Sequence, residues 1–406
     1  MGKDYIMEKK IERGILQGDS LSPLLFVLCM DPLSRQLSGL YPKVSVKTDK
    51  GYNTSNHLLF IDDLKLLAEK DDVLVAMLEE TKRFFKTIGL EMNKDKSATN
   101  TSSCSEDAQL LEGKESYKYL GITESSTSEV TPESLNKIRT EILKRTRELC
   151  KTRLNAKNLF KAINEHAISL INYHIGVLKL GPDDFAMIDQ LIRQTLVDSK
   201  IHMQPGCKER LYLPRDQMGR GLQNVEHRSE NMLLQLRNSL ELSKETSSRR
   251  AAILKVENEF KTHLSLISSF LATKYSIKEE VTLKNLMEAQ INALKSEINS
   301  KKSHEKLFRA CNNELVSVKD SSIWLKNGNN SARDEAAFCY IQDRNIFWGE
   351  KALCPHCKNS LKTVDHLATK CDRMLGHDYM RRHNEVVKCI YLLMCNKYGF
   401  KNEKKT

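Results

Sequence analysis

The sequence predicts an α+β chain whose strands are confined to its first 125 residues and whose remainder is mostly helical, ending in a small metal-binding module. Three observations carry this prediction. Strand-like runs, VSVKT (44–48), HLLFIDDLKLLA (57–68) and YKYLGI (117–122), alternate with helical periodicity at the start. After RLYLPRDQMGRGL (210–222) no Gly or Pro occurs until Gly328, which calls for long helices. Near the end, CPHCKNSLKTVDHLATKC gathers three of the eleven cysteines beside a histidine.

Taken in order, Ser22 suits a helix N-cap and Pro23 the first helical position, where its missing N–H costs nothing. The apolar run Leu24 to Met30 predicts a buried helix, kinked or ended by Asp31-Pro32. VSVKT reads as a strand, GYNTSN (51–56) as a polar turn, and HLLFIDDLKLLA as a hairpin carrying Asp62 and Asp63 side by side. Asp71 is placed to cap VLVAMLEETKRFFKTIG, in which Leu74, Met77, Leu78, Phe84, Phe85 and Ile88 form one stripe and Gly89 follows as the C′ residue. LEMNKDK (90–96) reads as a short strand or loop and YKYLGI as a compact aromatic strand; TSSCSEDA and ESSTSEVTPES connect. From Ser134 to Ala167 the chain is helical and basic, through Lys137, Arg139, Lys144, Arg145, Arg147, Lys151, Arg153, Lys157 and Lys161. Such a run is usually a solvated face, and in so basic a chain phosphate contact is the competing reading.

At 406 residues, 40% hydrophobic and 29% charged, the chain can form two or three domains with a sizeable core. A net charge of +11 and a pI near 9.0 call for a polyanionic partner, either nucleic acid or an acidic membrane face. No apolar run approaches the roughly 20 residues that span a bilayer, and MGKDYIMEKKIERG lacks an apolar h-region, so export and membrane insertion are not expected. The odd, scattered cysteines fit a reducing compartment, with Cys29, Cys104, Cys150, Cys207 and Cys311 as small buried apolar residues.

Two groups of residues carry chemistry. Adjacent aspartates at a hairpin tip suit Mg²⁺, a hard ion that takes carboxylate oxygens, although Asp is also common in turns. Cys354-x₂-Cys357, eight residues, His366, four residues, Cys371 gives four ligands that close a tetrahedron around a structural Zn²⁺. His356, His377 and His383 lie nearby, and His366 fits best on spacing. Lys358, Lys362, Lys370, Arg373, Arg381 and Arg382 around it suit nucleic-acid contact, while Trp324 and Trp348 read as core anchors before stacking platforms.

In order, ILQGDSLSPLLF, LLFIDDLKLLA, GLEMNKDKSA and YKYLGI resemble successive palm motifs of reverse transcriptases, most closely those of site-specific, target-primed non-LTR retrotransposon polyproteins. RLYLPRDQMGRGL and the CCHC cluster extend the resemblance over nearly the whole chain. It implies an RNA-directed DNA polymerase fragment: a partial palm over 1–125, a helical thumb over 126–226, a helical connector over 227–330 and a zinc-knuckle module over 331–406. Carried over, Asp62 and Asp63 would bind Mg²⁺, and Lys96 would act near the triphosphate unless it is a surface lysine. Gln17 and Gly18 would approach template and incoming nucleotide, the glycine because backbone without a Cβ can come close. Tyr117 to Ile122, with Leu120 and Gly121, would grip the primer end, though YKYLGI could equally be a core strand. Ile61 stands where a small Ala is frequent. The partners implied are an RNA template and a DNA primer or target, with no membrane, and the location is the nucleus after synthesis in the cytoplasm.

One departure bears on activity. The family has another aspartate on an earlier palm strand, upstream of QGDSLSP, and Asp4 and Glu8 lack its context. The fingers and first palm strands are also missing, so the expectation is a truncated copy with little or no polymerase activity alone. The alternative is a non-catalytic nucleic-acid-binding protein derived from a retroelement. Relatives carry a restriction-like endonuclease after the zinc module; with the chain stopping at Thr406, target nicking is not expected.

Overall fold

The computed structural model describes residues 14–15, 18–48, 51–112, 115–127, 132–178, 180–242, 263–301, 308–309, 311, 313–344, 353–375 and 378–399. The chain divides into two compact units, one comprising 1–138, 176–179 and 233–270, the other 139–175, 180–232 and 271–406. Gln17, Trp348 and His377 lie outside the described residues.

The first unit opens with α1 (Ser22–Leu40), whose Met30, Leu33 and Leu37 pack with Met77 of α2 (Asp71–Ile88). Ser22 is the first helical residue rather than the cap. The helix runs through Pro32 instead of ending there, because the missing N–H frees only the Leu28 carbonyl, on an exposed turn where water can reach it. The apolar run is not buried as a whole either. Leu24, Leu25, Val27 and Leu28 are exposed, and so is Cys29 against expectation, since a helix packed on one side buries one stripe, and here the stripe runs through 30, 33 and 37. In α2 the N-cap position is Lys70; Asp71 and Asp72 occupy the first turn, where the helix dipole favours them, and Asp71 accepts hydrogen bonds from Thr101 and Ser103 at 2.6 and 3.0 Å.

GYNTSN is not a turn. Gly51–Ser55 forms β2, antiparallel to β1 (Val44–Thr48), with Val44 opposite Ser55 and Thr48 opposite Gly51. The polar Asn56 that follows is buried, and its Nδ2 donates to the Leu37 and Tyr41 carbonyls at 2.6 and 3.1 Å, satisfying the end of α1. Next, β3 (His57–Phe60) and β4 (Asp63–Leu66) form a hairpin in which Phe60 faces Asp63, leaving Ile61 and Asp62 as its loop. A short parallel pair, β5 (Ala98–Thr99) with β6 (Gln109–Leu110), follows a 3₁₀ turn at Lys94–Lys96. YKYLGI is the heart of a second hairpin rather than one strand: β7 (Ser116–Tyr119) returns as β8 (Ile122–Ser125) through Leu120 and Gly121, at φ 46° and 83°.

Ile61 sits at φ 55°, a left-handed conformation that a β-branched side chain adopts only under strain. Ile61→Gly is expected to stabilise the first unit by up to about 1 kcal/mol, the relief of strain exceeding the entropy that glycine costs. Urea unfolding followed on the unit's amide exchange checks the sign.

The second unit is built from helices: the end of α3 (Pro132–Cys150), α4 (Ala156–Ala162), α5 (Pro182–Asp198), α6 (Lys208–Tyr212), the start of α7 (Val225–Leu242), the end of α8 (His263–Tyr275) and α9 (Leu283–Asn299). Then come α10 (Val318–Ser321), α11 (Ile323–Lys326), α12 (Ala332–Arg344), α13 (Asp372–Leu375) and α14 (Asp378–Tyr398). The helix expected over 134–167 breaks at 151–155, where Asn155 Oδ1 accepts the Asn158 N–H at 2.9 Å and starts α4 anew. The Gly/Pro-free stretch also breaks, α8 ending at Ser276 in a left-handed conformation (φ 54°). Trp324 is half-buried and meets Phe338 edge-on at 6.1 Å. No helix among the described residues is long and apolar enough to cross a membrane.

RLYLPRDQMGRGL places three arginines against α12. Arg220, 1% exposed, donates to Glu335 at 2.9 Å and to the Ile201 and Ala332 carbonyls at 2.6 and 3.2 Å, with its guanidinium over the Phe160 ring. Arg215 pairs with the same Glu335 and donates to the Leu325 carbonyl at 2.7 Å. Arg210, equally buried, reaches Asp343 and Gln342 at 2.7 Å each. Buried cations are tolerated only when paired and hydrogen-bonded in this way.

Asp189 on α5 is buried and accepts the Val225 and Glu226 N–H groups that open α7, at 3.0 and 3.3 Å. Burial outweighs those donors and pushes its carboxyl up to about 6. The folded state therefore holds a proton that the unfolded chain releases near 4. Stability from this group is full below pH 4, falls as pH rises to about 6 and is level above, a loss of about 3 kcal/mol. Chemical denaturation of wild type and Asp189→Asn between pH 4 and 7 checks this; the asparagine variant should flatten the slope.

Candidate active site and metal centre

Within the first unit, a cavity of about 610 Å³ is lined by Asp62, Asp63 and Lys65 of the β3–β4 hairpin, by Glu91 and Lys96, and by Tyr117, Tyr119 and Glu124 of the β7–β8 hairpin. Leu66, Leu74, Leu78, Phe85 and Leu111 form its apolar wall. Asp63 and Lys65 share one face of β4, and Leu64 and Leu66 the other, where they also pack on the α1–α2 core; both faces border the cavity, and the register sets Tyr117 opposite Glu124. The Tyr117 hydroxyl donates to the Lys96 carbonyl at 2.5 Å, tying the 3₁₀ turn to β7. Lys65 Nζ donates to Glu124 at 2.7 Å and lies 5.1 Å from the centre of the Tyr119 ring. Burial, and then the charge of Asp63, raise both tyrosine hydroxyls above the usual phenol range, so both stay protonated at neutral pH.

Asp62 and Asp63 are exposed carboxylates on one tight loop. Their hard oxygen donors fit Mg²⁺, which is ordinarily held by one or two carboxylates with waters and phosphate oxygens completing its shell. Bound there, the ion would neutralise charge on a phosphate group and lower the pKa of an attacking hydroxyl.

The second unit holds the other cluster. The ligand atoms of Cys354, Cys357, His366 and Cys371 all lie within 4.8 Å of one another. Cys354 Sγ and Cys371 Sγ are 3.7 Å apart, too far for a disulfide and close to the roughly 3.8 Å edge of a tetrahedron with Zn–S bonds of about 2.3 Å. Cys357 Sγ and His366 Nε2 are 3.2 Å apart. A tight turn from Cys354 to Lys358, closed by the Lys358 N–H on the Cys354 carbonyl at 2.9 Å, presents the first pair. A helical turn at His366–Lys370 presents the second, and Leu367 and Met374 cover it. Burial opposes ionisation of the Cys354 thiol, but the Cys357 and His356 N–H groups outweigh it and bring the thiol down to about 6. The four donors fit Zn²⁺ as a closed, structural set.

On the basic helices, Lys137, Arg145, Lys151 and Lys161 pair with Glu133, Glu141, Glu148 and Glu165. Lys144, Arg147, Arg153 and Lys157 are exposed and have no carboxylate within 4.0 Å among the described residues.

Residues 2–123, which supply most of the cavity's lining, match the model of the reverse transcriptase (RNA-dependent DNA polymerase) family. The chain is 27% identical over 201 residues to a retrovirus-related Pol polyprotein from the type-1 retrotransposable element R2 of Popillia japonica, a stretch covering 46% of this chain and 32% of that protein. It is 34% identical over 135 residues to the corresponding polyprotein of the type-2 element R2DM of Drosophila melanogaster, covering 29% and 12%. The chain carries a reverse transcriptase domain of the non-LTR retrotransposon kind. It spans a third or less of the length of these relatives.

Of the residues singled out in the sequence, the reverse transcriptase domain brings Asp62, Asp63, Lys96 and Tyr117 into one cavity. Leu120 and Gly121 form the hairpin turn and do not line it. Gly18 does not line it either. Its φ of 96° gives a conformational reason for the glycine, and a Cβ there would meet no atom of the described residues within 4 Å. Sequence reading missed Lys65, Glu91 and Glu124; Tyr119 falls within the predicted 117–122 run and lines the cavity with Tyr117. The alternation Asp63–Lys65 and the two-residue Leu-Gly turn, which fixes Glu124 opposite Tyr117, were the available signals.

Proposed function

We propose that this domain adds deoxynucleotides to a DNA 3′ end on an RNA template. Asp62 and Asp63 hold Mg²⁺, Lys96 faces the triphosphate, and the β7–β8 hairpin lies under the primer end. The observation that carries this reading is the convergence of three motifs, spread over 55 positions, on one cavity that also holds two exposed carboxylates. In this reading residues 1–125 are a palm, 126–226 a thumb, 227–330 a connector and 331–406 a zinc module. The cations Lys144, Arg147, Arg153 and Lys157 track the backbone of the template–primer duplex. The site of action is the nucleus.

Equilibrium binding of a fluorescent deoxynucleoside triphosphate with Mg²⁺ tests the assignment. Asp62→Asn and Lys96→Met are each expected to weaken it about tenfold or more. Binding indifferent to both variants would rule the cavity out as the nucleotide site.

Phosphoryl transfer depends on preorganised charge, and the cavity's other carboxylates are Glu91 and Glu124, the latter engaged by Lys65. The 406-residue polypeptide alone is therefore expected to give little or no processive product in Mg²⁺-dependent primer extension on primed RNA; robust synthesis would refute this. The second reading, a nucleic-acid-binding protein without catalysis, rests on the four exposed cations. It predicts salt-dependent RNA binding with no Mg²⁺-dependent nucleotide binding.

A further inference from the structure

Lys65 places a cation on the same face of β4 as Asp63, two residues on and so about 7 Å along the strand. An ammonium so near a metal-binding acid pair would compete with a divalent cation for it. The structure shows where that charge goes instead. Lys65 Nζ sits 2.7 Å from Glu124 Oε2, with the two side chains only 25% and 19% exposed, and Tyr119 contributes its ring face at 5.1 Å. Glu124 belongs to the other hairpin, so the pair also links β4 to β8 in the cavity wall.

We propose that Glu124 is a positioning residue that holds the Lys65 ammonium off Asp63 and thereby keeps the acid pair open to a divalent cation. The inference rests on the metal-binding reading of Asp62 and Asp63 given above. Its content is electrostatic rather than mechanical. Breaking the pair from the Glu124 side releases a cation beside the acids, whereas breaking it from the Lys65 side removes that cation altogether. The two cuts sever the same bridge and must move metal affinity in opposite directions.

The test is tyrosine-sensitised Tb³⁺ luminescence on the zinc-loaded full chain, Tb³⁺ standing in for an oxygen-ligated cation and Tyr117 and Tyr119 serving as antennae. The signal of interest is the component that Asp63→Asn removes. Glu124→Gln is expected to weaken it about fivefold to tenfold, the size of a unit charge acting over roughly 7 Å at a partly exposed site. Lys65→Met should bind at least as tightly as wild type, and the double variant Lys65→Met/Glu124→Gln should recover wild-type affinity or better. That recovery shows that Glu124→Gln does not act by unfolding the hairpins. Equal weakening by Lys65→Met and Glu124→Gln, with no recovery in the double variant, would overturn the proposal in favour of a plain tether. So would an unchanged Glu124→Gln. If wild type shows no component dependent on Asp63, the metal-binding reading itself fails, a result distinct from either of these.

Discussion

Replacing Glu335 by alanine is expected to destabilise the second unit by about 4 kcal/mol, because it leaves the buried Arg220 guanidinium and the partly buried Arg215 guanidinium without their shared carboxylate. Arg215 and Arg220 both pair with this carboxylate, itself 1% exposed, and water cannot replace it at that depth. The other donors of Arg220 stay on the Ile201 and Ala332 carbonyls, so its charge is held in place while its counter-charge is gone. For a unit of this size the loss corresponds to a fall in Tm of about 10 °C. The comparison is Glu148→Ala, which removes the partner of Lys151 where both side chains are more than 60% exposed and should lower Tm by under about 2 °C. Differential scanning calorimetry of the two variants checks both numbers, and equal effects would show that the buried pairs contribute no more than surface ones.

Loss of the four-ligand cluster should have the other large effect. The purified chain is expected to contain one zinc per molecule, and Cys371→Ser or a strong chelator should remove it. A closed Cys₃His set contributes on the order of 10 kcal/mol of binding free energy to the fold around it. The apolar cover there is small, Leu367 and Met374, so residues 353–375 are expected to loosen without the ion. Trypsin should then cut at Lys358, Lys362 and Lys370, which the zinc-loaded chain protects; metal content by mass spectrometry and peptide mapping read the two halves of the prediction. A metal-free chain as resistant as the loaded one would make the cluster four incidental side chains.

How much of this was legible in the sequence depended on whether the information was local. The Asp62-Asp63 hairpin and the Cys-x₂-Cys turn are set by neighbours a few positions away, and both formed where the spacing placed them. GYNTSN failed because turn-forming residues also populate edge strands when a partner such as VSVKT lies beside them. The exposure of Leu24, Leu25, Val27 and Leu28 was not legible, since an apolar run says what would gain from burial and not whether anything covers it. Nothing in the local pattern of RLYLPRDQMGRGL marks Arg210 and Arg220 for burial, yet both lie inside the protein. Their partners stand more than a hundred positions away, beyond the reach of any local pattern.

That separation also orders events on the ribosome. Arg210 waits 133 residues for Asp343, and Arg220 waits 115 for Glu335. At synthesis rates of roughly 5–20 residues per second the nascent chain keeps these arginines hydrated for about 6 to 27 seconds before their counter-ions emerge. A message cut short, or a protease acting, anywhere between positions 221 and 334 yields a polypeptide whose arginines have no acid to enclose. The later helices are thus a precondition for the earlier ones to settle.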